Sequence, residues 1–152
     1  MSEQIGTTLF FYDGAAASRL DSQRRWDSFI QSIDKMRWFR PNWDGPGTEG
    51  PTHTLVDSAI ELAVRLRDKH YPPPFRVSPG ADGTVVMEWQ TGGTYQQLEV
   101  SRPFVAELYS APPGGPSTFT EIPFGCISPG SQFVFPSELN RSSVNNRIKE
   151  LV

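Results

Sequence analysis

The sequence predicts an α+β fold, with two N-terminal helices packed on an antiparallel β-meander of four to six strands and a weaker helical signal at the C-terminus. Apolar residues recur at helical spacing in residues 22–38 and again in 54–69. After Phe75 the period changes to two, and the runs break at Asp82-Gly83 and Gly92-Gly93, dipeptides that favour tight hairpins. Helices thus precede strands, and such segregation is the mark of α+β architecture. With 152 residues and 37% hydrophobic content, the chain has enough apolar surface for one core, so 1–152 reads as a single domain.

Residues 1–20 show no clear period: Leu9–Tyr12 reads as a short strand ended by Asp13-Gly14, and Ala15–Ala17 as the beginning of a helix or a flexible arm. In 22–38, Trp26, Phe29, Ile30, Ile33 and Met36 share one face, with Asp21 or Ser22 placed to cap the start. Pro41 limits continuation. In 54–69, Leu55, Val56, Ala59, Ile60, Ala63 and Val64 form an apolar stripe, and Thr54 with Asp57 resembles a capping box. The Tyr71–Phe75 link holds three prolines and reads as a stiff bridge from helix to sheet. Beyond it, Val85, Met87 and Trp89 alternate with Val86, Glu88 and Gln90. Gln96, Leu98 and Val100 alternate with Tyr95, Gln97 and Glu99. Phe104–Tyr109 supplies another strand, started by Pro103. The segments "TFTEIPF" and "QFVFP" offer one or two more, and 137–151 the last helix. Residues 111–152 read as a variable C-terminal extension.

The formal charge is −3, and the 14 Lys and Arg are scattered rather than gathered on a basic face. Nucleic-acid binding is therefore not the expectation. One cysteine, Cys126, allows no intrachain disulfide, which suits a reducing compartment. No secretory leader and no membrane-length apolar run is recognisable, so the expected location is cytoplasmic.

Three features occur in order: "NWDG" at 42–45, the helix of 54–69, and "SPGADGTVVMEWQTGGTYQQLEV" at 78–100. Together they resemble a group of small uncharacterised bacterial proteins with a Trp-Asp-Gly turn, a helix and a Pro-x-x-Asp-Gly-x-x-x-x-Glu-Trp hairpin. The resemblance spans roughly 38–110 and implies a fold, with no activity attached. It departs after Gly45, where "PGTEGP" replaces a small residue followed by proline.

Trp43-Asp44-Gly45 has two readings. In one it is a pocket, with an indole platform beside a carboxylate. In the other it is a corner: Trp43 plugs the core, Asp44 bonds its own backbone, and Gly45 takes a positive φ. Glu88 and Glu99 lie on one sheet face by alternation, but two carboxylates without a supporting base are poor catalysts. Cys126 with His53 and His70 matches no nucleophile or zinc pattern. The glycine-rich pieces match no phosphate loop. Neither a metal nor a cofactor is expected.

The expectation is a non-enzymatic interaction or regulatory module that binds another protein, of an antitoxin, immunity or defence-accessory kind. Tyr95, Tyr109 and Phe119 are its aromatic anchors, and an acidic surface would complement a basic partner. A homodimer through unpaired strand edges is compatible with the pattern. The alternative is a small enzyme or ligand-binding domain whose pocket joins Trp43 and Asp44 to Glu88 or Glu99.

Overall fold

The computed structural model describes residues 2–124, with side chains from residue 18 onward. Helix α1 (Ser2–Lys35) runs into a short 3-10 turn (Met36–Trp38), and helix α2 (His53–Asp68) follows. Five strands come next: β1 (Arg76–Pro79), β2 (Val85–Thr91), β3 (Thr94–Arg102), β4 (Val105–Ala111) and β5 (Thr118–Pro123). They form one antiparallel sheet in sequence order. The fold is α+β. The expected helix at 137–151, the "QFVFP" strand and Cys126 lie outside the described residues.

The N-terminal expectation is corrected. Residues 2–20 are helical and continuous with 22–35, so neither a strand at 9–12 nor a cap at 21 or 22 exists. Leu9–Tyr12 and Ala15–Ala17 are compatible with helix, and nothing in 2–21 is a proline that would break it. Helix α2 begins earlier than the Thr54 signal suggests. Thr52 is its cap, and its hydroxyl accepts from the Leu55 N–H at 3.2 Å. Asp57 does not close a capping box but pairs with Arg37 at 2.5 Å.

The buried stripe of α2 is Leu55, Val56, Ala59, Leu62, Ala63 and Leu66, while Ile60 and Val64 are only partly buried. It shares one core with Trp26, Ile33 and Met36 from the first helical segment and with Val85, Met87, Trp89, Leu98, Val100, Ala106, Leu108 and Ile122 from the sheet. These sheet residues alternate along their strands, so they occupy one face.

Side chains bind the layers to one another. The Trp26 indole N–H donates to the Tyr71 carbonyl and the Trp89 indole N–H to the Pro72 carbonyl, both at 2.8 Å. The following prolines lack an N–H, and the two indoles satisfy successive carbonyls of this stiff link. Arg67 reaches from α2 to Asp27 at 2.8 Å, and Arg65 donates to the Phe124 carbonyl at 2.8 Å.

Turn chemistry sets the sheet register. Gly92 and Gly93 both take positive φ, 57° and 84°, the geometry of a two-residue hairpin turn that follows strand twist. The β3–β4 turn differs from expectation. Pro103 and Phe104 form the turn rather than the start of a strand, and Phe104 adopts a φ of 60°. That conformation is costly for a bulky residue. It is held by packing on Phe124, with ring centroids 5.9 Å apart, and by the Phe124 N–H donating to the Phe104 carbonyl at 2.8 Å.

Candidate functional site

The second face of the sheet carries the complementary set of side chains. Among the described residues, no helix packs on it. Strand register arranges it in rows. One row reads Arg76, Glu88, Gln97, Tyr109 and Phe119 across β1 to β5. The next reads Ser78, Val86, Glu99, Glu107 and Glu121. Tyr95 sits beside the first row, opposite Gln90 and Ala111.

At the β1–β3 side, Glu88 is only 4% exposed although no helix covers this face. Its neighbours enclose it. Arg76 engages both carboxylate oxygens, with Nη2 to Oε1 at 2.9 Å and Nε to Oε2. The Tyr95 hydroxyl donates to Oε1 at 2.6 Å and lies 3.1 Å from Gln97 Oε1. Burial by itself pushes the Glu88 carboxyl up, but the hydrogen bonds from Arg76 and Tyr95 outweigh it and hold the carboxyl below its usual range. Burial, with the hydrogen bond to Glu88 second, pushes Tyr95 up to about 12. At neutral pH the pair is carboxylate and phenol, with neither group poised to exchange a proton.

From Tyr95 an aromatic strip runs to the sheet edge. The rings of Tyr95 and Tyr109 are 6.1 Å apart and those of Tyr109 and Phe119 4.9 Å. Phe119 ends the strip at 74% exposure. Beside it stand Glu99, Glu107 and Glu121 in mutual cross-strand register. Glu121 meets Arg102 at 3.2 Å. Glu99 and Glu107 make no ion pair among the described residues.

Of the residues singled out in the sequence, the sheet thus gathers Glu88, Glu99, Tyr95 and Tyr109 on one face. Trp43 and Asp44 stand elsewhere, in the loop between the helices. That loop is a hydrogen-bonded knot, and its details correct the corner reading. Trp43 is half-buried rather than a core plug. Its ring lies 5.3 Å from Phe39 and its indole N–H donates to the Glu49 carbonyl at 2.9 Å. The side chains of Asn42 and Thr48, rather than that of Asp44, tie the turn: Asn42 Oδ1 accepts from the Gly47 N–H at 2.9 Å, the Thr48 hydroxyl accepts from the Asp44 N–H at 3.1 Å and donates to the Gly45 carbonyl at 2.8 Å, and Asp44 is exposed. Gly45 takes a φ of 103°, as a corner requires.

A cleft of about 760 Å³ opens between α1 and the end of α2, against the prolines of the link. Trp43 and Asp44 do not line it. Two of its polar groups, the Trp26 indole and the Arg67 guanidinium, are already bonded to Tyr71 and to Asp27 and Asp68. Among the described residues no three His, Cys, Asp or Glu are grouped to hold a metal ion. No helix among them is long and apolar enough to cross a membrane.

The sequence reading did not single out Arg76, Gln97, Glu107 or Glu121. The alternation in "VAELYSA" and "TFTEIP" places a Glu two residues from an aromatic on each of β4 and β5, which was the available signal. What aligns those pairs is the register between strands, which no single segment contains. Comparison of the chain with protein-family models, with curated proteins and with solved structures finds no match.

Proposed function

We propose that this protein is a non-enzymatic interaction module that binds and regulates another protein through the open face of its sheet. The observation that carries this reading is the aromatic strip Tyr95–Tyr109–Phe119, which ends in a phenyl ring left 74% exposed. Tyr and Phe on a rigid sheet bury large area on contact and lose little side-chain entropy, which is what interface anchors need. The Arg76–Glu88–Tyr95 cluster supports the same reading. It fixes the Tyr95 ring and leaves no group with the near-neutral pKa of a general acid or base. A bacterial antitoxin, immunity or defence-accessory role in the cytoplasm is the biological setting we propose, on the resemblance of the 42–45 turn, the second helix and the Asp-Gly…Glu-Trp hairpin to small bacterial proteins.

A native pull-down from the host, read by mass spectrometry, tests it. The wild-type chain and Asp44→Asn retain one stoichiometric protein partner, and a Tyr109→Ser/Phe119→Ser variant with an unchanged melting curve loses it. Retention of the partner by the double variant, or capture of a metabolite in its place, overturns the proposal.

A further inference from the structure

We infer that the segment docking on this face is a basic one: an extended polypeptide whose Lys or Arg side chains lie over Glu99, Glu107 and Glu121 and whose stems or guanidinium planes lie over Tyr109 and Phe119. The inference rests on the interaction reading above and specifies the chemistry of the partner.

Like charges directly opposite on neighbouring strands destabilise a sheet. Here Glu99 faces Glu107, and Glu107 in turn faces Glu121, on the face that no described helix covers. Arg102 meets only the last of the three, and both members of that pair are exposed, 61% and 59% at the side chain. Such a pair is screened and weak. The repulsion is therefore largely unrelieved within the described residues, and a cationic partner would relieve it.

Dimensions decide what kind of cation. Neighbouring strands lie about 4.8 Å apart, so three residues in register span roughly 10 Å. That is too wide to converge on one ion and suits several cationic side chains carried on one chain. The aromatic strip runs alongside, since Tyr109 follows Glu107 by two residues on β4 and Phe119 precedes Glu121 by two on β5. A guanidinium placed between the rows meets a carboxylate with its edge and a ring with its face, and the two attractions act together. A phosphate-bearing partner meets the opposite field, because Glu99 and Glu107 stand where its charge would lie.

Two synthetic decapeptides test the inference by amide chemical-shift titration of the full chain. One alternates arginine with leucine. The other replaces each arginine by citrulline, which keeps the shape and removes the charge. The arginine peptide shifts the amides of β3, β4 and β5 saturably, and its affinity falls by about tenfold or more between roughly 20 and 300 mM salt. Glu99→Gln/Glu107→Gln weakens it by about tenfold, whereas Asp44→Asn does not. If the citrulline peptide binds this face equally well, the basic partner is overturned and the interaction face stands. If neither peptide shifts β3 to β5, the face itself is overturned as well.

Discussion

Glu88 shows how one residue's environment decides its role. Written in the sequence as an acid next to Trp89, it is expected on the outward side of a strand and therefore wet. It is outward, yet its carboxylate is almost inaccessible because Arg76 and Tyr95 close over it. Its pKa is depressed, so the unfolded chain binds more protons than the folded one in mild acid. The stability it contributes is present above the unfolded value of about 4.5 and is lost as pH falls through the lower folded value. Tyr95 acts at the other end. Its raised pKa contributes stability below the unfolded value near 10, which is lost as pH rises through about 12. Replacing Arg76 by Gln leaves a buried carboxylate short of a two-point partner and lowers the urea midpoint at neutral pH. Because a protonated Glu88 no longer needs the guanidinium, that loss shrinks on acidification. Urea midpoints of wild type and R76Q at about pH 7 and about pH 3.5 check this, and an equal difference at both would show that Arg76 acts by packing alone.

At the scale of elements, helix α2 and the hairpins follow from local rules more closely than α1 does. The α2 stripe, the prolines after it and the Gly92-Gly93 turn are all written within a few residues of where they act. The helix start was displaced because two threonines, Thr52 and Thr54, both precede the apolar run. The backbone chooses the one whose hydroxyl reaches a free N–H three residues on. Thr52→Ala should therefore lower stability by about 1 kcal/mol, while Thr54→Ala changes it by less than about 0.5 kcal/mol. Thermal melts of the two variants are the measurement, and equal effects would reject Thr52 as the cap. The 39–52 loop follows local rules less closely. Its Trp and Gly residues announce a turn, but which side chains close its internal hydrogen bonds, and its tie to the β1–β2 hairpin through the Glu49 N–H donating to the Ala81 carbonyl at 2.9 Å, are not written in any short motif.

Across the whole molecule, the two faces of one sheet do different work. The covered face meets the helices in a continuous core, and the Trp26 and Trp89 rings approach within 6.5 Å there. Their indole N–H groups hold successive carbonyls of the Tyr71–Phe75 link, so helix layer, link and sheet are tied at one point. Trp26→Phe and Trp89→Phe should each cost about 1–3 kcal/mol for the orphaned carbonyl and lost packing. Their effects should also depart from additivity by about 0.5 kcal/mol or more, since the residues touch. Additive denaturation midpoints in the double variant would show that the two anchors act independently. The other face, with its rings and its row of glutamates, carries the proposed partner site.

The α+β class, the second helix, the Asp82-Gly83 and Gly92-Gly93 hairpins and the side of the sheet on which Glu88, Glu99 and Tyr95 stand are all legible in the sequence. These depend on periodicity and on turn residues, which are local properties. Long-range structure is needed to see that Trp43 and Asp44 stay apart from the sheet carboxylates and that Glu88 is enclosed. The same holds for the row of Glu99, Glu107 and Glu121. The physical reason is that pairing register and long-range packing bring together residues distant along the chain, and the free energy that fixes them belongs to the contact rather than to either segment.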